Sequence, residues 1–118
     1  YGSIFIEDLR IVHNIDLLID DDAMTLNFPL LGDNYPNPFN SSTEIPFFID
    51  QLQSVDLSIY DMKGKKVIGL AKGIHKPGYY KKVWGGKDES GIPVSSGIYI
   101  YKINSKGKSI AKNMILLK

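Results

Sequence analysis

The sequence predicts an all-β domain, an antiparallel sandwich of about seven strands, and three observations lead there. Apolar residues recur at every second position rather than at helical spacing, the alternating runs are only five to ten residues long, and glycine, proline, asparagine or aspartate separates nearly every pair. No segment keeps a 3.6-residue period long enough to make a convincing helix.

The elements follow in chain order. Residues 3–12 are rich in β-branched and aromatic side chains and read as a strand left over from a preceding β-rich domain, 1–12. Residues 13–33 carry Asp16, Asp20, Asp21, Asp22 and Asp33 without a strong period, which predicts a linker. A C-terminal domain then occupies 34–118. It opens on Asn34-Tyr35-Pro36-Asn37-Pro38-Phe39-Asn40, where each proline restricts the residue before it and so dictates an extended lead-in. Residues 43–49 place Ile45, Phe47 and Ile49 on one face, and residues 55–60 place Val55, Leu57 and Ile59 inward with Asp56 and Ser58 outward. Asp61-Met62-Lys63-Gly64 predicts a turn, with Gly64 at positive φ, that returns 66–70 as the second arm of a hairpin. Residues 79–84 form a further strand, and 85–93 is a loop dense in glycine. Residues 97–104 put Tyr99, Tyr101 and Ile103 on one face, and 109–117 close the domain.

Composition removes several function classes. Fourteen basic against thirteen acidic residues give a net charge of +1, so no overall field holds nucleic acid. With no cysteine there is neither a disulfide, nor a thiolate metal site, nor thiol chemistry. The chain does not start with Met, so we expect it to be a fragment or mature form of something longer. A hydrophobic content of 43% is enough for a packed core and too high for a disordered segment.

Candidate chemistry is sparse. His13 and His75 have no partner at catalytic or metal-ligand spacing, so both read as surface or turn histidines. Asp20, Asp21 and Asp22 lack the spaced oxygen ladder and glycine of a calcium loop. Asp88 and Glu89 could be taken for an acid/base pair, but adjacent carboxylates in a turn more often cap backbone amides. Tyr79, Tyr80, Trp84, Tyr99 and Tyr101 pose a sharper choice. They could stack on sugar rings as an exposed platform or fill a sandwich core, and the core is favoured. Asn40-Ser41-Ser42 fits a glycosylation acceptor pattern that chance also explains. Catalytic residues, cofactors and metals are therefore expected to be none.

Several of these motifs carry a resemblance. Tyr35-Pro36-Asn37-Pro38-Phe39-Asn40 with Ser42-Thr43-Glu44-Ile45 resembles the opening motif of the type A C-terminal sorting domains of the type IX secretion system. Residues 57–67 resemble that family's central hairpin. Trp84, Gly86, Asp88 and Gly91, then Val94-Ser95-Ser96-Gly97-Ile98-Tyr99, are similar to its most recognisable stretch, and residues 112–118 to its closing strand. Gly85, Ser41 and Asn113 depart from the pattern. A similar Ig-like sandwich belongs to the flagellar hook-capping protein, so fold alone does not fix the role. Residues 4–11 look, separately, like the closing strand of a carbohydrate-binding jelly roll.

The resemblance implies an Ig-like fold and a non-enzymatic address label that directs a parent protein through the periplasm and across the outer membrane to the cell surface. The implied partners are an outer-membrane translocon, a sortase-like cysteine peptidase at the cell surface, and an upstream cargo domain in the same chain. Carried over by position, the recognition residues are Tyr35, Pro36, Asn37, Pro38, Gly97, Tyr99, Lys112 and Lys118. The acidic linker around Asp20, Asp21, Asp22 and Asp33 is the expected cleavage region, because a protease needs extended backbone. The alternative is a structural or carbohydrate-binding sandwich appended to a secreted enzyme.

Overall fold

The computed structural model describes residues 29–118. The strand expected at 3–12 and the aspartates at 20–22 lie outside them. Seven strands are present: β1 Leu30–Leu31, β2 Thr43–Ile49, β3 Gln53–Tyr60, β4 Lys66–His75, β5 Gly78–Trp84, β6 Gly97–Ser105 and β7 Lys108–Leu116. All pair antiparallel, in a three-stranded sheet ordered β1-β2-β5 and a four-stranded sheet ordered β4-β3-β6-β7. No helix occurs among the described residues. Leu30 and Leu31, assigned to the linker on sequence grounds, pair with Phe48 and Phe47 instead.

The alternation in the sequence becomes the core. Ile45, Phe47 and Ile49 of β2 face Val55, Leu57 and Ile59 of β3, Tyr99, Tyr101 and Ile103 of β6, and Met114 and Leu116 of β7, all buried. Burial of apolar surface at roughly 25 cal/mol per Å² is the main favourable term for a domain without disulfides. Asp61 makes the β3–β4 turn. Its Oδ1 accepts the Lys63 and Lys65 amides, each at 2.9 Å, and Gly64 takes φ +87° as the turn requires.

β4 runs five residues beyond the Leu70 end that its pattern suggests. Leu57 pairs with Ala71 but Ser58 pairs with Gly69, and Ile59 pairs with Ile68 but Tyr60 with Lys66, so Leu70 and Val67 are extra residues in two bulges. Each bulge shifts the alternation by one, and both extra side chains pack against the core. Opposite the turn, at the far end of the sandwich, His75 closes the interior. Its ring meets Tyr80 edge-on at 5.0 Å and lies tilted on Phe47 at 6.0 Å, with Nδ1 2.9 Å from the Gly73 carbonyl. It is half-buried packing beside the short β4–β5 connection, where a surface or turn histidine is expected.

One buried polar group ties the two sheets together. The Tyr101 hydroxyl, inward from β6, donates to the Gly32 carbonyl at 2.8 Å and accepts the Asn34 amide at 3.0 Å. Gly32 in turn donates its N–H to the Pro46 carbonyl of β2. Burial pushes the Tyr101 phenol up to about 12, with the nearby Asp33 charge adding to the rise and the Asn34 amide opposing it. Sign follows from linkage: above pH 10 the unfolded chain releases this proton while the folded chain still holds it, so the unfolded state is favoured. The contribution is complete below pH 10 and is lost as pH rises toward 12. Tyr101→Phe should cost about 1–3 kcal/mol at neutral pH, by leaving a buried carbonyl and amide without partners. It should also flatten the alkaline fall in stability; urea unfolding at pH 8 and at pH 11 measures both.

Candidate recognition surface

The register puts every family-like motif at one end of the sandwich. β2 begins there and β5 ends there, because Thr43 pairs with Trp84. β3 ends and β4 begins there, with Tyr60 opposite Lys66, and β6 begins and β7 ends there, with Gly97 opposite Leu116. The lead-in 34–42, the 85–93 loop and the last residues of the chain therefore meet, although 78 positions separate Asn37 from Ile115 in sequence.

The lead-in is built from an internal anchor outward. Asn34 is buried, and its Nδ2 donates to Thr43 Oγ1 at 3.0 Å and to the Pro36 carbonyl at 3.3 Å; the Thr43 hydroxyl donates to the same carbonyl at 2.8 Å. Tyr35 exchanges two backbone hydrogen bonds with Glu44, which continues the three-stranded sheet. The Tyr35-Pro36 and Asn37-Pro38 peptides are both cis.

Past Pro38 the chain crosses to the other sheet and pairs with the outer edge of β7. The Ile115 amide donates to Asn37 Oδ1 at 3.0 Å, the Phe39 amide to the Ile115 carbonyl at 3.0 Å, and the Leu117 amide to the Phe39 carbonyl at 2.9 Å. Phe39 thereby forms a parallel bridge with Leu116. An edge that would otherwise present unpaired amides and carbonyls is occupied along its last turn of pleat.

Aromatic packing fills the space beneath. The Trp84 ring stands 5.6 Å from Phe39 and meets Tyr99 edge-on at 5.2 Å, joining lead-in, β5 and β6. Its indole N–H donates to the Lys87 carbonyl at 2.9 Å, and the Tyr99 hydroxyl donates to the Ser95 carbonyl at 2.7 Å. Trp84, Tyr99 and Tyr101 are interior, so the five candidate aromatics do not make a sugar platform. The 85–93 loop is held by its carboxylates. Asp88 Oδ1 accepts the Ser90 and Ile92 amides, while Glu89 reaches the β4 edge, its Oε2 accepting the Gly69 amide and its own amide donating to the Val67 carbonyl. Both carboxylates cap backbone, as adjacent turn carboxylates commonly do.

The eight residues carried over by position separate into three groups. Tyr35, Pro36, Asn37, Pro38 and Lys118 lie together on the surface of this end, and Tyr35 is 79% exposed. Gly97 and Tyr99 are also here but serve the fold. Gly97 adopts φ +157° with open space around its missing side chain, so backbone conformation and not crowding asks for glycine. Tyr99 belongs to the Trp84 cluster. Lys112 sits farther along β7, and its Nζ is 3.0 Å from Asp33 Oδ1 in an exposed ion pair worth little energetically. Among the described residues no group of three or more histidines, aspartates or glutamates is placed to hold a metal ion. Sequence reasoning missed Asn34 and Thr43 as the residues that shape the opening motif, since nothing local announces a hydrogen bond spanning nine positions.

Two substitutions probe this end. Trp84→Ala should cost about 3–5 kcal/mol, the usual loss for a buried aromatic in a packed core, and Asn37→Ala about 1 kcal/mol for one hydrogen bond. Chemical denaturation reads both. Hydrogen exchange should speed up at the Ile115 amide in Asn37→Ala and leave amides at the far end unchanged.

Comparison with known proteins bears on what this end is for. The family described as "Secretion system C-terminal sorting domain" matches residues 33–117. No curated protein matches. Among solved structures, dimeric latent PorU from Porphyromonas gingivalis superposes with a TM-score of 0.60 at 22% identity over 79% of this chain. FlgD from P. aeruginosa gives 0.51 at 22% identity over 76% of this chain and 67% of its own. PorZ, a surface component of the type IX secretion system of P. gingivalis, gives 0.51 at 19% identity over 83% of this chain. The chain spans only 10% of the PorU chain and 12% of the PorZ chain, and at these identities the likeness concerns the fold. The family match covers well over half the chain and includes both the lead-in and the last strand, so the chain belongs to the secretion system C-terminal sorting domains, the signal modules of the type IX system.

Proposed function

We propose that this module acts wholly by being bound: an outer-membrane translocon docks on the end of the sandwich where lead-in and last strand meet, and the parent protein upstream follows it from the periplasm to the cell surface. The convergence of Tyr35 to Pro38 with β7 supports this reading most directly, because it gathers the exposed family-like residues onto one continuous surface. Candidate contact residues are Tyr35, Pro36, Asn37, Pro38, Lys112 and Lys118, while Gly97 and Tyr99 act by shaping the strand that carries them. Side chains at the end of a β-sandwich suit such a task, since loops and strand ends vary without disturbing the core.

Release of the cargo by a sortase-like cysteine peptidase belongs to the same proposal. The cut falls upstream of β1, in the acidic stretch around Asp20, Asp21 and Asp22, because the backbone on either side of Asp33, the fourth aspartate expected there, is held in the sandwich. Asp33 is exposed and paired with Lys112; the other three lie outside the described residues.

The test is a fusion. The 118-residue chain is placed behind a reporter bearing a signal peptide, in a host with a type IX system, and the reporter is assayed in periplasm, surface and medium fractions. Most of it should appear beyond the outer membrane. Retention of a folded, protease-resistant fusion in the periplasm would sink the proposal.

A further inference from the structure

The outer face of the four-stranded sheet, away from the core, carries an apolar patch at the same end of the molecule. Ile98 and Ile115 are direct cross-strand partners near the start of β6 and the end of β7, and are 43% and 38% exposed. Tyr60 and Ile100 are the next pair on this face, and Leu117 continues it beyond Ile115. Single exposed apolar side chains are ordinary, but the exposed Ile98, Ile115 and Leu117 beside the half-buried Tyr60 and Ile100 form a patch of the kind that marks an interaction site.

Lysines dominate the charge that borders the patch. Lys102 holds its ammonium 5.1 Å from the centre of the Tyr60 ring, and Lys66 is the cross-strand partner of Tyr60 on β4. The one carboxylate in register on this face, Asp56, pairs across the strands with Lys72 and accepts the Ser58 hydroxyl at 2.6 Å. Asp61, beside Tyr60, is committed to the turn amides. The patch thus has an apolar centre and a basic margin.

The backbone around it is already satisfied. Asn37 and Phe39 hold the outer edge of β7, and β6 holds the inner edge, so a partner cannot add a strand at 115–117 without displacing the lead-in. Contact there must go through side chains. We infer that the secretion machinery reads the last strand through the Ile98–Ile115 patch, with a complementary protein surface that has an aliphatic or aromatic centre and an acidic rim. This rests on the sorting role proposed above and names the surface and the partner chemistry. Opposite charge on the rim raises the rate of encounter and fixes orientation, while the apolar centre supplies the affinity.

The fusion above tests it with three variants. Ile98→Thr with Ile115→Thr keeps β-branched side chains in both strands while trimming the apolar surface they display. Lys66→Glu with Lys102→Glu reverses the margin. Val83→Thr, at a 59% exposed position in the other sheet, controls for loss of apolar surface in general. The melting temperature of each purified chain reports folding. Export should fall about tenfold in the threonine pair and in the glutamate pair, the effect expected when a binding centre or a charged rim is lost, and stay at the parent level in Val83→Thr. Parent-level export in both pairs would overturn the patch and leave the sorting role intact; failure of the unsubstituted fusion would overturn both. Should the threonine pair melt far below the parent, the glutamate pair alone decides. A parent chain that sediments as a dimer, or that co-sediments with anionic vesicles, and loses that property in the threonine pair would also overturn the inference, because the patch would then belong to a second copy or to a lipid surface.

Discussion

Everything at the end where the family-like motifs meet depends on the hydrogen bonds that join the lead-in to the last strand. A two-sheet sandwich has four edges, and each presents amides and carbonyls that must find partners or stay in water. Here one strip of chain serves two edges in succession: Tyr35 completes the edge of the three-stranded sheet at Glu44, and four residues later Phe39 completes the edge of the four-stranded sheet at Ile115 and Leu117. Crossing between sheets in so few residues demands a sharply directed path. Asn34 and Thr43 hold the near side of that path from within, Asn37 holds the far side from outside, and the Phe39 ring fills the gap over Trp84.

The other side of the sandwich is handled differently. β4 is twisted and interrupted by two bulges, and the Glu89 carboxylate and amide take up two of its outer backbone groups. Bulges and occupied backbone both discourage a second chain from adding to an edge. β5 carries Lys81 and Lys82 along its length. The protected edges and the Tyr101 crosslink between sheets describe a module that gains specificity of pairing from a few polar contacts, while its stability comes from the alternating apolar interior.

How much of this the sequence disclosed follows from the range of each interaction. β2, β3 and β6 were legible because one face of each is buried and period-two alternation records it directly. β4 was read short because two bulges break that period, and β1 escaped because a two-residue strand has no period to read. At the site, the turn role of Asp88 and Glu89 was legible from neighbouring residues, and the burial of Trp84 and Tyr99 from strand alternation. The partnership of Asn34 with Thr43 and of Asn37 with Ile115 was not, since it links residues 9 and 78 positions apart that only the finished topology brings together. The packing of His75 was hidden for a related reason: the aromatic rings that cover it come from β2 and β5.

The family motifs therefore perform two jobs that truncation cannot separate. Phe39, Trp84, Gly97 and Tyr99 close the end of the sandwich, whereas Tyr35, Ile98, Ile115 and Leu117 are displayed on it. Removing the last strand would delete displayed side chains and, in the same stroke, take away the hydrogen-bond partners of Asn37 and Phe39, so the lead-in would lose its path and Trp84 its cover. Removing the lead-in would expose the β7 edge in return. A surface assembled from both ends of the module exists only when those ends have met, which, under the proposed docking, makes a completed fold a physical precondition of being read. Substitutions confined to the displayed set leave every one of those closing contacts in place, and for that reason they alone distinguish a module that cannot fold from one that folds and is not recognised.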